Sequence, residues 1–264
     1  MQYGVMNFPV KAVMEEIQTL GRLGFDYLEL AMDPPQAHHT QLRAQRREIM
    51  AALRDLGWGL VCHLPTFVHT ADLTESIRRA SCAEVLDSLG LAAELGARKV
   101  VLHPSTVIGM ARHVPAIAHR YAQEMLAAVM ARAEQLGIMV CLENLFNRLT
   151  PFSAPDYLAE CLERFPLLAL TLDVGHAHLQ TGGNTHLIDL IARFGARIRH
   201  LHVSDNFGRH DDHLPVGAGG VDFAALADAL RHTGYDETIT LEVFADDRAQ
   251  LVRSREALAA LLAG

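Results

Sequence analysis

Seven ionisable or imidazole side chains recur along this chain at intervals of 29 to 40 residues: Glu29, His63, His103, Glu143, Asp173, His202 and Glu242. Each sits in or at the end of a short apolar run, where such a group is costly unless it is hydrogen-bonded, paired or coordinated. Any one alone reads as a satisfied core histidine or a structural ion pair. Brought together they read differently: four carboxylates repel and raise one another's pKa, whereas a divalent cation keeps them ionised and the imidazoles neutral. Two more segments add donors. Asp173-Val-Gly-His176-Ala-His178 sets an aspartate and a histidine three apart across a tight turn, and residues 204–221 carry Asp205, Asn206, Arg209, His210, Asp211, Asp212 and His213 ahead of Val216-Gly-Ala-Gly-Gly220. Those glycines suit either a phosphate-binding run of N–H groups or a plain turn. Cys62, Cys82, Cys141 and Cys161 are scattered with no Cys-x-x-Cys pair, against thiolate zinc and a disulfide scaffold. Nitrogen and oxygen ligands remain, a set that suits a zinc- or manganese-class ion, one to three in number, and is too rich in nitrogen for magnesium or calcium alone.

The elements that must position these groups form a repeat. Amphipathic stretches stop at Gly24, Gly57, Gly96, Gly137, Gly195 and Gly234, where glycine suits the left-handed end of a helix, and an apolar run follows each. The predicted strands are 2–6, 25–30, 59–63, 99–103, 138–143, 168–173, 198–203 and 238–244. They are apolar on both faces, as parallel strands covered by helices are. Eight strand–helix units in 264 residues predict an α/β fold, a single (β/α)8 TIM barrel domain over residues 1–264 with eight parallel strands. No Gly-x-Gly-x-x-Gly follows a strand, against a dinucleotide-binding open sheet. In a barrel the chemistry lies where strands end, which is where the seven residues fall.

The net charge of −8 disfavours broad electrostatic nucleic-acid binding, and no basic, aromatic-rich surface replaces it; Trp58 begins the third strand, at the far mouth. Neither a signal peptide nor a run of about 18 apolar residues is present, so the expectation is a cytoplasmic protein with no membrane association. With only Lys11 and Lys99, a Schiff-base mechanism is disfavoured. Apolar stretches near Met110 and at 127–130 offer a face for a homo-oligomer, although a helix of the barrel would bury them as well.

His63-Leu-Pro, His103-Pro, Glu143-Asn, Asp173-x-Gly-His176, His202-Val-Ser-Asp205, Asp211-Asp-His213-Leu-Pro-x-Gly217 and Leu241-Glu242 together resemble the xylose isomerase-like barrels. That family groups sugar and sugar-phosphate isomerases and epimerases with abasic-site nucleases of the endonuclease IV type, also called AP endonuclease family 2. The epimerase branch implies a metal held by Glu143, Asp173, His202 and Glu242, with the two glutamates moving protons on either face of a sugar carbon. The nuclease branch implies a zinc cluster that adds His63, His103, His176, Asp211 and His213. His176 is a further catalytic candidate, orienting substrate, while Arg209, Glu29 and Asn206 are substrate-binding candidates. Two departures stand out. The first strand, Tyr3-Gly-Val-Met-Asn-Phe-Pro9, lacks the nuclease branch's Gly-Ala-His-Val-Ser, and Gly217-Ala218-Gly219 stands where many isomerase-like relatives have Gly-Glu-Gly. The leading expectation is a metal-dependent isomerase or epimerase acting on a small sugar through an enediolate. A phosphodiesterase on abasic DNA and a non-catalytic metal- or sugar-binding barrel are the alternatives.

Overall fold

Each apolar run pairs in parallel with the next, and the eighth returns to the first, so the sheet closes on itself. The computed structural model describes residues 1–146, 150–180 and 182–264. Its strands are β1 (Gln2–Met6), β2 (Tyr27–Ala31), β3 (Gly59–His63), β4 (Lys99–Leu102), β5 (Met139–Glu143), β6 (Ala169–Asp173), β7 (Ile198–Val203) and β8 (Thr238–Leu241). The helices are α1 (Val13–Leu20), α2 (His39–Ala44), α3 (Arg46–Leu56), α4 (Glu75–Glu94), α5 (Pro115–Leu136), α6 (Pro155–Arg164), α7 (Val174–His178), α8 (Asn184–Phe194), α9 (Phe223–Thr233) and α10 (Ala249–Ala263). The fold is the expected (β/α)8 barrel. Ten helices replace the expected eight among the described residues because one connection breaks at Gln45 and the turn after β6 winds into α7. None is long and apolar enough to cross a membrane.

Helix ends follow the sequence logic with one exception. Gly24, Gly57, Gly96, Gly137 and Gly234 are left-handed, with φ between 67° and 87°. Gly195 is not; its φ is −49°. It is small for another reason, since a Cβ there would lie 2.5 Å from Thr233 Cγ2. The apolar face of each helix packs on the outside of the sheet, as Tyr157, Leu158, Cys161 and Leu162 do from α6. On α5, Val129 is buried in this core whereas Met110, on the preceding loop, is exposed.

Inside the barrel the composition changes. Among the described residues, Tyr27, Val61 and Val101 form an apolar cluster separate from the main core, and Gly4 leaves room for the Tyr27 ring, which would otherwise lie 2.1 Å from a Cβ. Above them most inward positions are polar, Met6 and Ala31 excepted. A bulge aligns two of these: Leu170 pairs with Ile198 but Thr171 with His200, so Asp173 comes level with His202. Bulges next to functional sites re-aim side chains in this way.

Candidate metal centre

The upper mouth of the barrel gathers all nine residues of the expected ligand set into one connected cluster. Glu143, at the end of β5, is its centre. Its Oε2 lies 3.1 Å from His103 Nε2, 3.4 Å from His63 Nε2 and 3.5 Å from His202 Nδ1. Its Oε1 lies 3.0 Å from His176 Nδ1. Glu242, just past β8, brings Oε1 to 3.0 Å from His202 Nδ1, and Asp173 brings Oδ2 to 3.8 Å from the same nitrogen. On the loop after β7, Asp211 Oδ2 is 3.1 Å from His176 Nε2 and 3.3 Å from His213 Nε2.

The far sides of the rings show what this arrangement suits. Nδ1 of His63, His176 and His213 stands 3.0, 3.1 and 3.0 Å from the main-chain carbonyls of Leu64, Asn144 and Glu242. A carbonyl only accepts, so Nδ1 carries a proton, and Nε2, which faces a carboxylate oxygen, is left for a second proton or for a cation. Lone pair against anion is unfavourable unless a cation lies between them. Two central atoms, Glu143 Oε1 and His202 Nδ1, are buried with no hydrogen-bond partner, as is Asp211 Oδ1. Oxygen and nitrogen ligands at about 2.0–2.2 Å from an ion stand about 3.0–3.5 Å from one another, which is the spacing of most of these contacts. Three overlapping groups, His63–Glu143–His202, Glu143–Asp173–His176 and Asp173–His202–Glu242, bring one ligand atom each within 4.8 Å. The residues fit one or more divalent ions.

Burial opposes charge throughout the cluster, and neighbours decide the outcome. Burial pushes the Asp173 carboxyl up to about 7, with Glu143 and Glu242 adding to it against the pull of His176. For Glu143 burial is outweighed by the charges of His103 and His202 and by hydrogen bonds from His103 and His176, and its carboxyl is held well below the usual range. His63 and His213 are pushed up to about 9: burial would lower them, but Glu143 raises the first, and Asp211 with Glu242 the second. The carboxylates thus draw positive charge onto the rings that face them. A divalent ion supplies that charge directly and leaves the rings as neutral ligands.

Above the cluster lies a cavity of about 360 Å³. One side presents His63, His103, Glu143, His176, Asp211, His213 and Glu242; the other is apolar, with Phe8, Phe67, Leu145, Phe146 and Phe244. Among the described residues lining it, none is lysine or arginine. The left-handed backbone of His213, φ 46°, is the single non-glycine case among the described residues and lies at this wall, as strained backbone at ligand sites commonly does.

Several expectations are corrected. Glu29 does not end β2 or line the cavity: it is mid-strand, fully buried, and bonded to His200 and His202 below the cluster. Asn206 is also buried, and its amide serves the loop, donating to Gly175 O and accepting from Gly208 N. Arg209 is exposed on the loop and off the cavity wall. The glycine run has no N–H groups to offer a phosphate, because Gly217, Gly219 and Val221 donate to the Asp205 carboxylate at 3.1, 2.7 and 3.0 Å. Gly219 must be glycine here, since a Cβ would meet Asn206 O at 2.5 Å. His200 was missed, although His200-x-His202 on one strand puts both rings on one face. The aromatic wall was missed too: Phe8, Phe67 and Phe244 come from three separate loops. His38, His39 and Glu84 gather elsewhere, but Thr40 N donates to His38 Nδ1 to cap α2, and Nε2 then carries its proton toward Glu84, 3.1 Å away; a hydrogen-bonded cap accounts for that group.

A family model described as a xylose isomerase-like TIM barrel matches residues 17–263. The uncharacterized protein MJ1311 of Methanocaldococcus jannaschii is 27% identical over 257 residues, 92% of this chain and 83% of that protein. A probable endonuclease 4 of Mycoplasmoides gallisepticum is 26% identical over 219 residues, 75% of this chain and 71% of that protein. Among solved structures, a D-tagatose 3-epimerase-like protein superposes with a TM-score of 0.87 at 24% identity, covering 100% of this chain and 97% of that one; at that identity the likeness is one of fold.

Proposed function

The chain belongs to the xylose isomerase-like TIM barrel family, and on that premise we propose that it is a divalent-metal-dependent isomerase or epimerase of a small sugar. One observation carries the reading. Glu143 and Glu242 come from β5 and from beyond β8, converge on His202 Nδ1 at 3.5 and 3.0 Å, and both line the cavity. Two carboxylates presented to one bound molecule from different strands are what proton removal and return at a single carbon requires. Bound among Glu143, Asp173, His202 and Glu242, a zinc- or manganese-class ion would stabilise the negative charge that develops when a carbon beside a carbonyl loses its proton. One glutamate takes the proton and the other returns one on the opposite face. His176, with Nδ1 committed to Asn144 O, orients a substrate oxygen. The aromatic wall excludes water from the reacting carbon.

Two measurements test this. The purified protein carries a transition metal, and Glu143→Ala loses it while keeping its fold; an empty wild-type site would sink the reading. In deuterated water with a ketose panel, the loaded protein places deuterium on one sugar carbon, and Glu242→Gln abolishes the exchange. Absence of exchange with full metal loading would leave a binding barrel.

A second reading rests on Asp211, His213 and His176, which form a ligand group beyond what one ion needs and which suit a multi-metal phosphodiesterase. Chelator-sensitive nicking of abasic duplex DNA would favour it.

A further inference from the structure

Below the metal centre, buried and half-buried polar groups form a continuous chain down the inside of the barrel. His202 Nε2 lies 2.9 Å from Glu29 Oε1, and His200 Nε2 lies 2.9 Å from Glu29 Oε2. Thr240 Oγ1, itself 2.8 Å from Tyr27 Oη, donates to Glu29 Oε2. His200 Nδ1 lies 2.7 Å from Thr238 Oγ1, and Lys99 Nζ donates to that hydroxyl from 2.8 Å at the opposite mouth, held by Arg199 O and Glu237.

The carboxylate sets the directions: ionised Glu29 only accepts, so His200 turns an Nε2–H to it and keeps Nδ1 as an acceptor. Thr238 Oγ1 accepts from Lys99 and has its own proton for His200 Nδ1 at 2.7 Å, nearer than Arg199 O at 3.4 Å. Glu29, with Thr240 on the same oxygen, accepts from His202 Nε2 on the other. His202 is left with Nδ1 as a lone pair, the atom that faces Glu143, Asp173 and Glu242. Were His202 the other tautomer, an N–H would point at the metal position and an unprotonated Nε2 would face the Glu29 carboxylate. Glu29, His200 and His202 are therefore no ion site of their own, although their ligand atoms lie close: each carboxylate oxygen is already taken by an N–H donor.

We propose that Glu29 is a positioning residue that commits His202 to the metal through Nδ1, and that Lys99, Thr238 and His200 fix the proton order from the far mouth of the barrel. The inference rests on the metal reading above. Partners behind a ligating histidine fix its tautomer and raise its basicity, and their loss typically weakens metal binding 10–100-fold.

Manganese titration of the chelated full-length protein, with far-UV circular dichroism as a fold control, gives the first readout. Glu29→Gln is expected to raise the dissociation constant about 10–100-fold. Thr238→Val, which removes the hydroxyl with little change in shape, is expected to raise it in the same direction, and it keeps the test open if the buried glutamine variant fails to fold. Long-range ¹H–¹⁵N spectra of the histidine rings of zinc-loaded wild type give the second readout, with His202 protonated on Nε2 alone and, in Thr238→Val, a mixture of tautomers at His200. Wild-type affinity in both variants, or His202 protonated on Nδ1, would overturn the proposal and leave the metal reading intact. A wild type that binds no manganese or zinc while its His202 still carries the proton on Nε2 would overturn the metal reading, and with it the role assigned to Glu29.

Discussion

Stripping the metal should make thermal stability fall steeply between pH 7 and 9, because protons then stand in for the cation. His63 and His213 are both pushed up to about 9 in the folded, metal-free chain, against about 6.5 when unfolded. A group whose folded pKa is the higher one stabilises the fold fully below its unfolded pKa and loses that contribution as the pH rises through the folded value. Between pH 7 and 9 one such histidine forfeits about 2 kcal/mol, and the two together about 4 kcal/mol. Unfolding entropy of about 2.1 cal/mol/K per residue over 264 residues converts this into a fall in Tm of about 7 °C. Asp173, pushed up to about 7, has lost most of its contribution before this window opens. Calorimetric melts of chelated and manganese-loaded protein at pH 7, 8 and 9 read the effect as a difference between the two forms, so any general alkaline destabilisation cancels. With the rings holding an ion through Nε2 there is no proton to lose, and the gap between the forms should widen by about that amount. A gap that stays constant across the three pH values would refute the reasoning.

Asp205→Ala leaves the N–H groups of Asn206, Gly217, Gly219 and Val221 without their acceptor; at about 1–3 kcal/mol for each of the two buried ones, Asn206 and Val221, the melting curve should shift down by at least about 4 °C. Because Asp205 and Leu214 also exchange backbone hydrogen bonds that close the segment carrying Asp211 and His213, metal affinity should drop with it. Phe244→Ala removes a ring 5.9 Å from Phe8 and 4.4 Å from His213; the loss of about 1–2 kcal/mol of apolar contact should raise KM roughly tenfold with kcat less affected, as steady-state kinetics on a reactive ketose would show.

The barrel was legible because its signals are local. A glycine that ends a helix and a run of valine, isoleucine and leucine announce themselves within a few residues, so the strands are right to within one to three residues. Six of the nine ligand-type residues, His63, His103, Glu143, Asp173, His202 and Glu242, were legible for a related reason, since a charged or imidazole group ending an apolar strand is rare enough to stand out; His176, Asp211 and His213 lie on the segments after β6 and β7 and joined the set through the resemblance. Gly195 broke the pattern because a tight contact with Thr233, 38 residues away, and not a left-handed turn, keeps it small. The glycine run after β7 misled because nothing local says that Asp205, twelve or more residues earlier, takes up its N–H groups.

What the sequence determined by itself is the eightfold alternation and the chemical character of the rim, because both are written in residue type and short-range period. The tertiary structure alone decided which of those groups face the cavity and which lie beneath it. Glu29 and Glu143 are the same residue type in similar strands, yet Glu29 sits mid-strand, one layer lower, inside a closed ring of donors. Closure of the sheet sets that difference: strand stagger assigns each inward position to a layer, and a layer exists only once all eight strands are in register.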